Sequence, residues 1–456
     1  MKQFDAAIIG FGKGGKTLAG ALAGAEKQVV LIEQSDKMYG GTCINVGCIP
    51  SKSLVHSAAL SAAQGGSFAE KAARYAEAIQ EKSRLTGMLR KKNFDKLNSN
   101  PHVTVINGAA SFAGPHQIAV HRADATEQLG AEQIFINTGA RPFLPPIPGL
   151  KESGYVYISE TMMDLETLPK QLVIIGGGYI GMEYASIYTN FGSQVTVVQD
   201  GPVFLPREDG EVAQAVLQSL LERGVRVILS AQVQSIHDEN GHAAVSIKTS
   251  EGEEVLPANA VLVATGRRPN VEGLRLEAAG VELTPRGAVK VDQTLRTTAP
   301  HIWAMGDVTG GLQFTYISLD DFRIVQSQIL GDGSRNTENR GAVPYSVFLD
   351  PPFSRVGLSE KEAREQGYDV KIAKLPAAAI PKAQVLRKPT GLLKAVVDAR
   401  TGHILGAHLF CEESHELINM LKLAIDAGIS YTVLRDNIYT HPTMSEALND
   451  LFASVQ

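Results

Sequence analysis

Two cysteines five positions apart, Cys43 and Cys48, stand in the segment GGTCINVGCIPSKSLVHSAAL, residues 40–60. Thiols so placed can pack as small apolar groups, hold half of a zinc site, or exchange electrons as a disulfide. Zinc wants two more ligands nearby, whereas the only other cysteine is Cys411 and His56 stands alone. On a regular helix, positions i and i+5 lie about 140° apart around the axis and over ~7 Å apart along it, beyond comfortable disulfide geometry. A bonded pair therefore requires an irregular chain around Gly47. Pro50 is tolerated only in a first helical turn, so a helix is expected to open near Cys48 and run through Leu60. Cys48 would then sit at a helix N-terminus, where a thiolate is stabilised and its pKa is expected to fall. The chain closes on YTHPTMSEALNDLF, with His441 and Glu446 as the residues of interest. Read alone, Thr443 to Glu446 is a capping box and His441 a loop histidine.

The elements that must position these groups are punctuated by glycine. FDAAIIGFGKGGKTLAGALAGAEKQVVLIE reads as strand, glycine turn, helix, strand and acid. Gly10 makes the tight turn, Gly12 lets the backbone approach a pyrophosphate, and Gly15 lets helix and strand pack closely. The helix N-terminus offers free N–H groups to the phosphates, and Glu33 would accept hydrogen bonds from a ribose. The pattern returns in LVIIGGGYIGMEYASIYTNFGSQVTVVQ with Gly176, Gly178 and Gly181, and Gln199 follows Gly176 by the same 23 positions that separate Glu33 from Gly10. Both units run on to a T-G-x-R-P sequence, at Thr138-Gly139 and at Thr265-Gly266. Two matched units argue for two nucleotides in one polypeptide. A carboxylate at the strand end favours a free 2′-hydroxyl and repels a 2′-phosphate; Gln199 does neither strongly, with Arg207 and Asp200 close by, so the nucleotide preference stays open. The first unit is longer than the second by 39 residues between its glycines and its T-G-x-R-P, and the insertion, mostly residues 40 to 100, holds the cysteine pair.

From about Tyr345 the texture changes to short strands and turns, with a capping box at Ser359–Glu362 opening one helix and a second helix near Glu413 to Ala427 stopping at Gly428. The chain of 456 residues has length for roughly three domains at ~150 residues each. Its 44% hydrophobic and 20% charged residues are globular in composition, and a net charge of -5 argues against a polybasic nucleic-acid binder. Three cysteines cannot staple a secreted scaffold. No apolar stretch of about 18 residues is present and no signal peptide is visible, so no membrane span and a cytoplasmic location are expected.

GGTCINVGCIPSK resembles the redox motif of the class I flavin disulfide reductases, which include glutathione reductase, lipoamide dehydrogenase and mercuric reductase. The resemblance covers nearly the whole chain. It implies an α/β fold with two Rossmann-like domains of the glutathione reductase type, for FAD and NAD(P)H, and an α+β C-terminal dimerisation domain. The implied divisions are 1–147 (FAD, first part), 148–267 (NAD(P)), 268–337 (FAD, second part) and 338–456 (dimerisation). IWAMGDVTGG is similar to the family's second FAD motif, placing Asp307 at the ribitol or pyrophosphate. Gly41, Thr42, Lys52, Thr138 and Gly139 are the further flavin-side positions, and Gly176, Gly178, Tyr179, Ile180, Gly181, Gln199 and Gly266 the nicotinamide-side ones. Cys48 would face the flavin as a charge-transfer thiolate, and Cys43 would be the outward thiol that attacks substrate. Lys52 and Glu183 would pair beside the flavin, where the bland alternative is two surface charges. His441 and Glu446 match H-P-x-x-x-E, whose histidine serves the cysteine pair of the other subunit and implies a two-fold homodimer.

Departures from the pattern narrow the substrate. The end LFASVQ lacks the vicinal cysteines of mercuric reductases and the extra redox pair of the larger thioredoxin reductases. Lipoamide dehydrogenase survives, although its histidine segment usually reads H-A-H-P and here reads Tyr439-Thr440-His441-Pro442. IIGFGKxGKTLA, MYGGTCIN, IWAMGDVTGGLQFTYISLDD, PYSVF and THPxMSE resemble the bacterial reactive-chlorine-resistance flavoproteins, a group associated with reduction of cupric ion and hypothiocyanous acid. That resemblance implies a small-molecule oxidant as substrate; dihydrolipoamide dehydrogenase and a flavin-based redox sensor are the alternatives. No resident metal is expected. Cys411 and His415, four apart at a likely helix start, would share one face and could hold copper, but a buried cysteine beside a satisfied histidine is the plainer reading. Trp303 reads as packing.

Overall fold

The apolar run before the first glycines forms the strand Lys2–Ile9. Ala7 and Ile9 pack on one face with Val30, Ile32, Ile134 and Ile136, while Ala6 and Ile8 pack on the other with Leu18, Leu22, Val29 and Leu31. Burial on both faces is why the run is continuously apolar rather than alternating. The computed structural model describes residues 1–456. It has two compact units: Met1–Ser53, Glu77–Phe143 and Gly266–Arg340 form one, and Leu54–Ala76, Leu144–Thr265 and Gly341–Gln456 the other.

In the first unit, Lys2–Ile9 lies between the parallel strands Val29–Glu33 and Thr126–Ile136, with Val103–Asn107 beyond the former. Ile302–Ala304 pairs parallel with the end of Thr126–Ile136, and Gln117–His121 and Ala109–Gly114 extend the sheet as an antiparallel meander. The two T-G-x-R-P sequences meet: Ala140–Pro142 and Arg267–Pro269 form a two-stranded antiparallel ribbon, with Arg268 opposite Arg141. Trp303 is buried and stacks on Phe135 with ring centroids 5.3 Å apart, a packing role.

The second unit repeats the parallel design. Arg226–Ile228, Gln194–Val198, Gln171–Ile175, Ala260–Val263 and Val156–Ile158 lie in that order, with a three-stranded antiparallel sheet over residues 232–258. Its C-terminal part is a five-stranded antiparallel sheet, ordered Tyr345–Val347, Phe353–Gly357, Ile404–Phe410, Leu392–Asp398 and Val370–Pro376. The Ser359–Glu362 capping box is formed and opens the helix Glu360–Glu365, and the helix Ser414–Asp426 is followed by Gly428 at φ +61°. No helix is long and apolar enough to cross a membrane.

The helix opens at Cys48 and runs through Leu60 as expected, ending at Gln64 before Gly65 and Gly66, both at positive φ. One expectation needs correction. Cys411 does not share a helix face with His415. It follows the strand Ile404–Phe410, is fully buried, and precedes the helix that begins at Ser414, so the i, i+4 geometry does not arise.

Candidate functional site

Cys43 and Cys48 are held by a chain reversal. Gly41, at φ +81°, caps the short helix Thr42–Asn45, and a Cβ there would stand 2.7 Å from Gly12 Cα, so the cysteine loop lies directly on the glycine turn. Asn45 donates from Nδ2 to the carbonyls of Tyr39 (3.0 Å) and Gly41 (2.9 Å), and accepts at Oδ1 from Arg90 Nε (2.7 Å). The Tyr39 ring packs between Phe94 and Phe11, with centroids 4.6 and 5.2 Å away. The chain doubles back at Gly47, where a Cβ would be 2.9 Å from the Thr42 carbonyl, and the long helix starts at Cys48. This is the irregular backbone that the five-residue spacing demands.

Both sulfurs are half-buried, neither is in a disulfide, and the two thiols are hydrogen-bonded to each other. The first ionisation falls on Cys43, whose pKa is lowered to about 6 by the hydrogen bond from Cys48, against burial, with help from Thr315 and the charges of Lys16 and Lys52. Cys48 is held well above the thiol range by that same hydrogen bond, by burial and by the Cys43 charge. The expected fall at Cys48 is thus reversed in the dithiol: its place at the helix start is as expected, but two sulfurs sharing one proton cannot both ionise first. Lys52 is half-buried one turn into the helix and its charge favours both thiolates. Tyr316 interacts electrostatically with Cys48 and stacks on Phe314 at 5.1 Å.

Around the first glycine turn, Gly10 has φ +105° and a Cβ there would meet Asn137 O at 2.3 Å. Glu33 is buried; its carboxylate accepts from Phe11 N (2.9 Å) and Ser35 N (3.2 Å), and burial raises its pKa. Each oxygen keeps a lone pair for a hydroxyl donor. Asp307 lies in the turn Gly306–Thr309; burial raises its pKa, Arg267 opposes the rise, and only its own backbone N–H donates to it. A desolvated carboxylate with so little hydrogen bonding suits a polyol hydroxyl. Thr138 donates through Oγ1 to the Asn270 carbonyl at 2.7 Å, and Gly139 and Gly266 have open space where a Cβ would project.

In the second unit, Gly176 repeats the tight turn at φ +110°, 2.5 Å from Ala264 O by its would-be Cβ. Gly178 caps the helix Tyr179–Phe191, and nothing lies within 4 Å of the Cβ position there. The N–H groups of Tyr179, Ile180 and Gly181 form the first turn, which has no intrahelical acceptors, so the helix presents an open anion-binding end. Gln199 lies against the glycine turn, its Oε1 2.0 Å from where a Cβ on Gly177 would be, and donates through Nε2 to Val203 O at 2.7 Å. Tyr179 donates to Glu208 at 2.5 Å, and burial together with that carboxylate pushes its pKa up to about 12. Glu183 is buried on the same helix and accepts from Phe348 N at 2.9 Å.

His441 is exposed, and Nδ1 meets Glu446 Oε2 at 2.7 Å. The capping box is also real: Thr443 N donates to Glu446 Oε1 and Glu446 N to Thr443 Oγ1, both at 3.3 Å. One carboxylate therefore caps the chain turn and orients the ring, leaving Nε2 outward for proton exchange.

Two residues in this region escaped the sequence reading. Asn137 accepts from Gly15 N (2.9 Å) and donates to Met305 O (2.7 Å) and Ser318 Oγ (3.3 Å), joining the glycine helix to the Asp307 turn. Only its place one residue before Thr138 pointed to it. Lys16, the second lysine of GKGGK, reaches the cysteine loop.

Two nucleotide folds, a second glycine helix whose end is open to phosphate, and a hydrogen-bonded thiol pair at a helix start define a pyridine nucleotide-linked dithiol oxidoreductase. The family model described as pyridine nucleotide-disulphide oxidoreductase matches residues 4–321, and that of its dimerisation domain residues 343–452. The chain belongs to this family, a flavoprotein disulfide oxidoreductase with the family's FAD and NAD(P)H chemistry. It is 50% identical, over 100% of both chains, to the probable pyridine nucleotide-disulfide oxidoreductase RclA of Escherichia coli (strain K12). It is 35% identical to dihydrolipoyl dehydrogenase of Mycobacterium tuberculosis (strain ATCC 25618 / H37Rv), over 99% of this chain and 98% of that one. The solved Cu(II) complex of the HOCl-induced flavoprotein disulfide reductase RclA from Escherichia coli matches with a TM-score of 0.94 at 49% identity, covering 99% of each chain.

Proposed function

We propose that this enzyme passes electrons from NAD(P)H through Cys43 and Cys48 to a small oxidant, hypothiocyanous acid foremost and Cu(II) second, in oxidant or metal defence. The observation that carries this reading is the half-buried, mutually hydrogen-bonded Cys43–Cys48 pair at a helix start, where the hydrogen bond from Cys48 and the charges of Lys16 and Lys52 favour ionisation of Cys43 as the attacking group. The 50% identity to RclA and the likeness to its solved Cu(II) complex support the choice of acceptors. Residues 1–147 and 268–337 are assigned to FAD, 148–267 to NAD(P)H and 338–456 to dimerisation. Glu33, Asp307, Lys52, Thr138, Gly139 and the Gly10–Gly15 and Gly41–Thr42 turns would hold FAD. Gly176–Gly181, Gln199 and Gly266 would hold NAD(P)H, with Glu183 beside the flavin. Bound FAD supplies the two-electron exchange by which NAD(P)H returns the pair to the dithiol. A reducing cytoplasm suits such a pair.

Cys43 thiolate attacks the sulfur of hypothiocyanous acid; an S–S bond forms as the S–O bond breaks, and the departing hydroxide takes a proton to become water. Cys48, as thiolate, then attacks the Cys43 sulfur, expels thiocyanate and closes the disulfide. The pair loses two electrons, and the proton from Cys48 passes to a base. We assign that base to His441, oriented by Glu446 and delivered by the partner protomer of a homodimer. Steady-state turnover of NADH and NADPH with hypothiocyanous acid, Cu(II), lipoamide and glutathione disulfide tests the substrate; preferential lipoamide turnover would replace this reading with dihydrolipoamide dehydrogenase. Mixing Cys43→Ser and His441→Ala protomers tests the shared site. Each variant alone is inactive, and a statistical mixture should regain about a quarter of wild-type activity, since half of the dimers carry one intact site. No recovery would place both groups in one protomer's site.

A further inference from the structure

Lys16 is a half-buried lysine on the helix Lys13–Gly24 that carries no ion pair with a carboxylate. Its ammonium donates to two neutral oxygens, Asn93 Oδ1 at 2.6 Å and the Gly40 carbonyl at 3.4 Å, and Asn93 is fixed in turn by donating to Leu89 O at 2.7 Å. The charges around it are Lys13 on its own helix, Lys96 on the helix Phe68–Asn98, and Cys43 on the helix Thr42–Asn45. Two of these three are like charges. A cation anchored between neutral carbonyls, beside two other lysines, gains no stability from its charge. The one opposite charge it faces is the thiolate of Cys43, three residues beyond Gly40. Two of its three protons are committed, and the third is left for an anion.

We propose that Lys16 is the positioning residue that sustains the Cys43 thiolate and draws small anionic electrophiles, or the anions they release, to that sulfur. Burial and its lysine neighbours bring Lys16 itself down to about 8, so its charge fades just above neutral pH. Around Cys43 the other contributors are Cys48, Thr315 and Lys52, and Lys16 is tied to the Gly40 carbonyl, three residues before the sulfur. The inference rests on Cys43 being the attacking thiol, and not on which oxidant is used.

The test is alkylation of the reduced holoenzyme by neutral iodoacetamide and anionic iodoacetate, with the labelled cysteine identified by mass spectrometry. Both reagents need the same thiolate, so the ratio of their rates reads the local charge alone. Lys16→Met should lower the iodoacetate-to-iodoacetamide ratio on the order of threefold or more and raise the pH midpoint of Cys43 labelling by about one unit. Lys16→Arg should keep both near wild type. A flavin-replete Lys16→Met enzyme with ratio and midpoint unchanged overturns the proposal while leaving the Cys43 reading intact. Labelling of Cys48 before Cys43 in the wild type overturns both. Should Lys16→Met not fold, the wild type alone decides: its ratio should fall as pH rises through about 8, and a flat ratio overturns the proposal.

Discussion

Replacing Cys48 by alanine and by serine should have different effects on Cys43, and the difference reads the source of its acidity. Cys43 drops from the ordinary thiol value of 9.0 to about 6. A downward shift of this kind makes Cys43 far more ionised near neutral pH than a free thiol would be. The largest favourable contribution is the hydrogen bond from Cys48; Thr315, Lys16 and Lys52 supply the rest, and burial opposes them. Cys48→Ala deletes the donor and leaves the three smaller contributions, so the midpoint should rise by about 1 to 2 units. Near pH 6.5 this slows alkylation of Cys43 by roughly tenfold. Cys48→Ser keeps an O–H in the same place and should hold the midpoint within about half a unit of wild type. The assay is the pH profile of iodoacetamide labelling at Cys43, with dithiothreitol-reduced wild type as reference. Coincident profiles for the alanine variant and wild type would refute the shared-proton account. Equal upward shifts for serine and alanine would refute the hydrogen bond as its cause.

Elsewhere the same logic applies to charges and amides. Lys394 is buried and donates to Asp209 (2.9 Å), Glu211 (2.6 Å) and Glu360 (2.8 Å). Lys394→Met strands the buried Asp209 and should cost about 3–5 kcal/mol, seen as a lower urea midpoint of the holoenzyme. Asp209 has its pKa lowered by Lys394, against burial. Its contribution is therefore full above the ordinary carboxylate pKa and lost as pH falls through its depressed value; the variant should show a shallower acid limb of stability, and an unchanged limb would contradict this. Asn137→Leu leaves Gly15 N and Met305 O unpaired, which should cost about 2–4 kcal/mol and lower the bound flavin measured by absorbance. Full flavin retention with unchanged stability would show that Asn137 does not tie these segments together.

The legible parts of this molecule are those written in short spacing. The repeated 23-position spacing from Gly10 to Glu33 and from Gly176 to Gln199 marks both nucleotide folds because each glycine answers a local steric demand. Gly10 and Gly176 take positive φ against the backbone carbonyls of Asn137 and Ala264. Pro50 located the helix start at Cys48, and the Ser359 capping box located the helix at Glu360. The less legible parts depend on partners far along the chain. Asn137 bonds Gly15, Met305 and Ser318, separations of 122, 168 and 181 residues, and no local pattern marks an asparagine for that task. The pairing of the two T-G-x-R-P repeats with each other is likewise a property of the folded chain, since nothing in either repeat names the other as its partner. Nothing local marks Lys16 either, because its acceptor, Asn93, lies 77 residues away on a helix that shares no motif with it.

The reversed acidity of the cysteine pair carries a consequence for the order of events. Three influences hold the proton on Cys48: the hydrogen bond to Cys43, burial, and the negative charge of Cys43; Lys52 and a backbone hydrogen bond oppose them. When Cys43 attacks an electrophile, its charge is consumed in the new covalent bond. The first and third influences vanish together, while Lys52 and the helix N-terminus remain. The pKa of Cys48 then falls toward the range first expected of a thiol at a helix start, at the moment its thiolate is needed to close the disulfide. Thr315 and Lys16, which act on Cys43 and not on Cys48, set which sulfur ionises first, and the coupling then lets each protonation state set the other. A Cys48 that ionised first would leave Cys43 as the protonated partner and slow capture of any small oxidant; the measured order of labelling therefore tests the geometry and the function at once.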